Sequence, residues 1–234
     1  MPNCLSAPAS GRPSRRKPRL PKRPMSSRRK RPRRRTPPPD RPLSGRLILA
    51  SASPRRRSLL REAGFHFIVV PSRIPERLPA GRPPVEQARQ LALRKARAIA
   101  RRVESGWVLG ADTIVVAGRR RLGKPASLQA ACRMLQALQG TRHKVITGVA
   151  LVQAPGRRYL LRHAVSFVTM RPLSAGQVRR LARKHADKAG AYAVQDRRDP
   201  VVRKVEGSTT NVVGLPMEIV RPLLRKLGAD RRTT

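Results

Sequence analysis

Two serines, Ser51 and Ser53, and two arginines, Arg55 and Arg56, lie within six residues directly after a short apolar run. Ser53 is a suitable N-cap and Pro54 suits the first helical position, so we predict a strand that runs into a helix here. The N–H groups and the dipole at a helix N-terminus attract anions, and guanidinium groups bind phosphate oxygens well. The segment therefore predicts a phosphate site, although Ser-Pro-Arg is also an ordinary helix start in a basic protein.

Asp112 stands inside the apolar segment 108–116, which we predict to be β-structure. Aspartate is disfavoured in strands, and burying it without a partner costs free energy. The chain has only 12 acidic residues, so an aspartate at this place favours a functional role. A carboxylate can hold a metal ion or activate water. The alternative is an aspartate that caps a turn between two strands.

Three further charged residues carry weaker signals. Lys95 lies on the apolar stripe of an amphipathic helix predicted over residues 84–102. There it either faces inward and meets an anionic partner, or lies at the edge of the stripe and reaches solvent. Glu76, in a predicted loop, and Lys124, before a proline, mean little from spacing alone. The Gly-Lys pair is not a P-loop, because the G-x-x-x-x-G-K-[ST] pattern is missing.

Other site classes find no support in the sequence. The four histidines are scattered, and no G-x-S-x-G motif is present. The two cysteines form no metal-type spacing, and Cys132 is expected to be a core residue. No apolar run approaches the length of a membrane span, and no apolar signal-peptide core lies near the N-terminus, so we expect a cytoplasmic protein.

Predicted strands and helices alternate along the chain. Strands are expected over residues 47–50, 65–70, 108–116, 143–153, 158–169 and 201–205. Helices are expected over residues 54–63, 84–102, 126–139, 174–184 and 216–228, and the last helix is expected to kink at Pro222. Residues 118–123 are expected to form a basic turn. The two long strands around Pro155-Gly156 indicate a hairpin. The pattern predicts an α/β fold with a mixed sheet.

The chain is strongly basic, with a formal net charge of +42. Residues 1–45 hold 15 Lys/Arg and one acid, and the remaining 189 residues hold 39 Lys/Arg and 11 acids. The excess is therefore spread over the whole chain, and a bias of composition explains most of it. Residues 1–45 are rich in Pro, Arg and Ser and are predicted to be a disordered tail. The tail is an electrostatic tether, a targeting segment or a segment without function.

Several segments together resemble the Maf family of septum formation inhibitor proteins. The matching motifs are Leu47–Arg56, Gly110–Thr113, Gly123–Pro125, Thr147–Ala150, Asp187–Tyr192, Glu206–Ser208 and Asn211–Pro216. They occur in the family's order over about residues 46–228, which we take as the domain, and residues 229–234 form a short C-terminal tail. The resemblance implies a fold similar to the inosine-triphosphate pyrophosphatase group, with a twisted mixed sheet, flanking helices and a cleft between two lobes.

The resemblance also implies an activity and roles for individual residues. The reaction would be hydrolysis of a nucleoside triphosphate at the α–β phosphate bond with a divalent metal, Mg²⁺ or Mn²⁺. Asp112 matches the general base and a metal ligand, and Glu76 matches the second metal ligand. Lys95 and Lys124 match lysines that neutralise phosphate charge. A homodimer is a further expectation from the family.

Three positions indicate a subfamily. Arg55, Thr113 and Gln195 match the residues of family members that resemble dTTP/UTP pyrophosphatases. The resemblance therefore implies dTTP and UTP, or modified pyrimidine triphosphates, as substrates, and cleansing of the nucleotide pool as the role.

The sequence departs from the family pattern at two places that flank the expected cleft. Arg73 and Pro75 stand where acids are usual, and the stretch 196–199 replaces a glycine-rich turn. These departures bear on metal affinity and base selectivity. With the basic charge they favour an alternative, a protein of this fold that binds nucleic acid or another polyanion without catalysis. A cell-division regulator is a second alternative, suggested only by the family's older name.

Overall fold

The computed structural model describes residues 46–75, 81–194 and 200–227. The strands are β1 (Leu47–Leu49), β2 (Phe67–Val69), β3 (Trp107–Ala117), β4 (Arg120–Leu122), β5 (Arg142–Gln153), β6 (Tyr159–Met170) and β7 (Val202–Glu206). The helices are α1 (Pro54–Glu62), α2 (Pro84–Ala100), α3 (Leu128–Leu138), α4 (Ala175–Lys184), α5 (Thr209–Val213) and α6 (Met217–Lys226). In these ranges no helix is long and apolar enough to cross a membrane.

The strands form one mixed sheet in the order β2-β1-β3-β5-β6-β7, with β4 paired to β3. β1 runs parallel to both β2 and β3, because α1 and α2 return the chain to the same end of the sheet. β3, β5, β6 and β7 are antiparallel, and β5 and β6 form the expected long hairpin. The predicted α/β fold with a mixed sheet flanked by helices is confirmed.

Helix α2 lies unusually close to the sheet, over two glycines of β3 and β5. A Cβ on Gly110 would lie 2.3 Å from the carbonyl oxygen of Ala92, and one on Gly148 would lie 2.3 Å from the carbonyl carbon and oxygen of Ala88. Such distances leave no room for a side chain, so both glycines are required by packing rather than by backbone conformation. The close approach fixes the height of α2, and therefore of Lys95, above β3.

The opposite face of the sheet is covered by two apolar clusters. Leu49, Leu60 and Leu224 belong to a cluster that joins β1, α1 and α6. A second cluster packs α3 and α4 against the far half of β3 and β5, and Cys132 lies partly buried at its edge. The assignment of Cys132 to the core is thereby confirmed.

Three sequence-based expectations need correction. Segment 107–117 is one continuous strand, so Asp112 does not cap a turn between two strands. The basic turn includes strand β4, whose three residues are too few to show a periodic pattern. Helix α5 was missed for the same reason, since it has five residues. Helix α6 lies within the predicted range and, as predicted, contains Pro222 between its ends at Met217 and Lys226.

Candidate functional site

A cleft of about 640 Å³ opens along one edge of β3. β1 pairs with residues 107–109 of this strand and β4 pairs with residues 115–117. Within the described ranges no strand pairs with the intervening residues on that edge, so the sheet is interrupted there. Successive side chains of a strand point to opposite faces. Because the cleft lies at the open edge, it is lined by both Asp112 and Thr113.

The structure brings eight of the ten predicted site residues to this cleft. They are Ser51, Ser53, Arg55, Arg56, Lys95, Asp112, Thr113 and Lys124. Glu76 and Gln195 lie outside the described residues, as do the stretch 196–199 and both predicted tails. Arg73, one of the two departures from the family pattern, also lines the cleft and has a left-handed backbone with a φ of 48°.

Lys95 and Asp112 form a buried ion pair at the floor of the cleft. Lys95 Nζ donates to Asp112 Oδ1 at 2.7 Å, and the two residues are 7% and 6% exposed. Lys95 therefore does not reach bulk solvent at the edge of the helix, and the inward-facing alternative is correct. A buried charge needs such a partner, because its desolvation is otherwise not compensated. The pair holds one carboxylate in a fixed position beside the open edge of β3.

Arg56 connects the loop after β1 with two distant segments. Its Nη1 donates to Ser51 Oγ at 3.0 Å, its Nη2 to Thr113 Oγ1 at 3.1 Å and its Nε to the carbonyl oxygen of Gly214 at 2.7 Å. A guanidinium group has five donors in a fixed plane, and three of them are directed to the protein here. Arg56 therefore positions Ser51 and Thr113 in the wall of the cleft.

Arg55 takes part in a separate charged group at the cleft. Its Nη1 lies 3.6 Å from Asp187 Oδ2, and Lys188 Nζ lies 2.5 Å from Asp187 Oδ1. Burial acts to raise the pKa of Asp187, but the hydrogen bond and charge of Lys188 and the charge of Arg55 outweigh it and hold that pKa below its ordinary value. Asp187 thus stays ionised near neutral pH and links the loop Asp187–Tyr192 to the start of α1.

One buried pair behind the cleft was not found from the sequence. His143 Nε2 lies 2.8 Å from Tyr192 Oη, and the two rings meet edge to face with centroids 5.4 Å apart. Burial lowers the pKa of His143 to about 4 and raises the pKa of Tyr192. Tyr192 lines the cleft, so neutral His143 supports its wall. The only sequence signal was the position of His143 at the start of a strand pattern, which does not identify a partner 49 residues away.

The arrangement suits an anionic ligand with several phosphate groups. Cationic side chains from α1, α2 and the loop after β4 line one cleft, where helix α1 also directs the positive end of its dipole. Two carboxylates lie among them, the buried Asp112 and the more exposed Asp187. Such a set can neutralise phosphate charge and take a proton from an attacking water molecule.

Fold and cleft thus define an α/β protein built to receive a phosphorylated ligand. A family model described as Maf-like protein matches residues 46–227. The chain belongs to the Maf-like family.

Individual relatives agree with this membership. A dTTP/UTP pyrophosphatase of Moorella thermoacetica is 48% identical over 187 residues, which are 79% of this chain and 96% of that protein. A dTTP/UTP pyrophosphatase of Geobacter sulfurreducens is 44% identical over 187 residues, 79% of this chain and 98% of the relative.

Among solved structures, a HAM1 protein from Coxiella burnetii aligns with 78% of this chain and 99% of its own, with a TM-score of 0.46 and 16% identity.

Proposed function

We propose that this protein is a nucleoside triphosphate pyrophosphatase that hydrolyses dTTP and UTP to the monophosphate and pyrophosphate. The observation that carries the proposal is the buried pair of Lys95 and Asp112 in a cleft lined with cations. The names of the relatives supply the substrates. Hydrolysis of pyrimidine triphosphates, modified ones included, would cleanse the nucleotide pool, and the cytoplasm is the setting that goes with this role.

Asp112 is the group that takes the proton of the attacking water. Its carboxylate is held by Lys95, so it does not need to reorient when substrate binds. A positioned base of this kind contributes roughly a factor of 10² to 10⁴ in rate. Lys95 at the same time adds positive charge beside the position where charge develops on the phosphate.

The remaining cations bind the triphosphate chain. Lys124 follows β4 and Arg55 lies in the first turn of α1, and both line the cleft. Ser51 and Ser53 offer hydroxyl groups just before that helix. Phosphate oxygens bind guanidinium and ammonium groups through charge-assisted hydrogen bonds. The leaving pyrophosphate carries more negative charge than the same atoms in the substrate, so these contacts strengthen as the bond breaks.

A divalent metal would bind at this site together with the substrate. The described residues contain no group of three or more metal-ligating side chains. Mg²⁺ is nevertheless commonly held by one or two carboxylates, several waters and the phosphates of a nucleotide. Asp112 would supply one carboxylate, and Glu76, which lies outside the described residues, is the second candidate. Bound there, Mg²⁺ or Mn²⁺ would neutralise charge on the phosphates.

Binding of a polyanion without catalysis remains a second candidate, which the net charge of +42 favours. Contacts of Lys and Arg with a nucleic-acid backbone weaken steeply as salt rises. Electrophoretic shift of single- and double-stranded DNA at about 50 and about 200 mM salt measures this property directly. Such binding collapses over roughly this range of salt. A protein that binds DNA tightly at the lower salt, loses that binding at the higher salt and releases no pyrophosphate would favour this candidate.

The test of the proposal is pyrophosphate release from a panel of eight ribo- and deoxyribonucleoside triphosphates with Mg²⁺ or Mn²⁺. The wild type is expected to act on dTTP and UTP first. Asp112→Asn is expected to lose about a factor of 10² or more, whereas Glu104→Gln, an exposed carboxyl-to-amide change outside the cleft, keeps full activity. Full activity in Asp112→Asn would remove the carboxylate from the mechanism. No release by the wild type would exclude the proposed reaction.

A further inference from the structure

A chain of hydroxyl groups runs from the cleft into the core of the sheet. Arg56 Nη2 donates to Thr113 Oγ1 at 3.1 Å, and Thr113 Oγ1 lies 3.0 Å from Thr147 Oγ1. Thr147 Oγ1 lies 3.0 Å from the carbonyl oxygen of Asn211. Thr147 and Asn211 are fully buried, and Thr113 is partly exposed and lines the cleft. One end of this chain of hydroxyl groups therefore lies at the cleft, and the other end lies in the core of the sheet.

The direction of every hydrogen bond in this chain is determined by its ends. A carbonyl oxygen only accepts, so Thr147 donates its one proton to Asn211. Thr147 then has no proton left for Thr113, so Thr113 must be the donor in the bond between the two hydroxyls. At the other end, a guanidinium group only donates, so Thr113 accepts from Arg56.

Toward the cleft, the Thr113 hydroxyl can consequently only accept a hydrogen bond. Its proton is directed to Thr147, and one of its two lone pairs receives Arg56. Only the second lone pair is left for a ligand, and a lone pair accepts. A ligand atom that bonds to Thr113 Oγ1 must therefore be a donor.

The uracil and thymine rings of a nucleotide carry one N–H group, at N3, and their other ring substituents with hydrogen-bonding capacity are carbonyl acceptors. Cytosine has an acceptor at N3 instead and its donor only at the exocyclic N4 amino group, so a cytosine placed like uracil would set its N3 acceptor against the acceptor of Thr113. We propose that Thr147 is a specificity-determining positioning residue: by fixing the proton of Thr113, it makes the cleft accept the N3–H of a uracil or thymine base. This inference rests on the proposed function, since it concerns how that site selects its base.

Thr147 cannot act by touching the base, because it is fully buried beneath Thr113. Thr147→Val keeps the shape and removes the acceptor for the proton of Thr113. The Thr113 hydroxyl is then able to turn its proton toward the cleft, where it can donate to N3 of cytosine. Thr147→Ser keeps the hydroxyl and serves as the matched control.

The experiment compares kcat/KM for UTP and CTP in the wild type, Thr147→Val and Thr147→Ser, and adds N3-methyl-UTP for the wild type. We expect the UTP/CTP ratio to fall about two- to tenfold in Thr147→Val, the range of one neutral hydrogen bond, and to stay near the wild-type value in Thr147→Ser. The wild type is expected to discriminate against N3-methyl-UTP by about tenfold or more.

Two results would overturn the inference while the proposed function stands. One is wild-type hydrolysis of N3-methyl-UTP as fast as UTP, which requires no folded variant. The other is a Thr147→Val protein that loses activity on UTP and CTP by the same factor, as a merely structural residue would. Absence of UTP hydrolysis by the wild type would instead refute the proposed function itself, and the inference with it.

Discussion

Replacing Lys95 by methionine tests the ion pair on which the site depends. Methionine keeps the length and apolar stem of the side chain but leaves Asp112 without its 2.7 Å partner at 6% exposure. Removing one member of a buried pair costs about 3–5 kcal/mol. The cleft borders this pair and Lys124 also lines it, so we expect the lower end, about 3 kcal/mol. For a domain of this size that corresponds to a fall in Tm of about 6–12 °C.

Urea unfolding followed by circular dichroism at pH 7 measures this loss. Arg133→Met is the control, because it removes one positive charge from an exposed position on helix α3, outside the cleft. A surface change of this kind is expected to cost less than about 0.5 kcal/mol. In the double variant Lys95→Met/Asp112→Leu both charges are gone, so most of the lost stability should return. A Lys95→Met variant no less stable than Arg133→Met would refute the buried pair, and so would a double variant less stable than Lys95→Met alone.

Two further predictions concern packing and pH. Gly148→Ala should destabilise the protein by about 2 kcal/mol or more in thermal unfolding, because its Cβ would lie 2.3 Å from the backbone of Ala88. Gly123→Ala is the control and should cost little, because its Cβ would have no neighbour within 4 Å. Equal losses of stability in the two variants would show that α2 can shift freely. Because burial holds the pKa of His143 at about 4, below the ordinary 6.5, the unfolded chain binds its proton first as pH falls. The stability from neutral His143 is therefore complete above pH 6.5 and declines toward pH 4, by about 3 kcal/mol at most. His143→Gln should remove that decline from the pH dependence of unfolding, and an unchanged slope would contradict the assignment.

The local sequence contained enough to predict the parts of the site but not all of its connections. The apolar stripe placed Lys95 on the inner face of α2, and the strand pattern placed Asp112 in the sheet. Periodicity could not decide whether Lys95 met an anion, because its partner lies 17 residues away on another element. In the structure, α2 packs closely over Gly110 and Gly148, and Lys95 lies within hydrogen-bonding distance of Asp112.

Longer-range contacts left no pattern in the sequence. Arg56 bonds to Thr113 and to Gly214, which are 57 and 158 residues away. Its local motif, Ser-Pro-Arg-Arg, indicated a phosphate ligand equally well for both arginines, whereas the structure directs three donors of the second arginine to the protein. The pairing of His143 with Tyr192 was invisible for the same reason.

The most direct test of the proposed reaction is to follow UTP with Mg²⁺ and the wild-type protein by ³¹P nuclear magnetic resonance, with Asp112→Asn under the same conditions. We predict that the wild type converts UTP to equal amounts of UMP and pyrophosphate, with no UDP and no inorganic phosphate, and that the variant leaves UTP intact. Formation of UDP and inorganic phosphate would place the cleavage at the wrong bond and contradict the account. Equal conversion by the folded variant would contradict the role of Asp112.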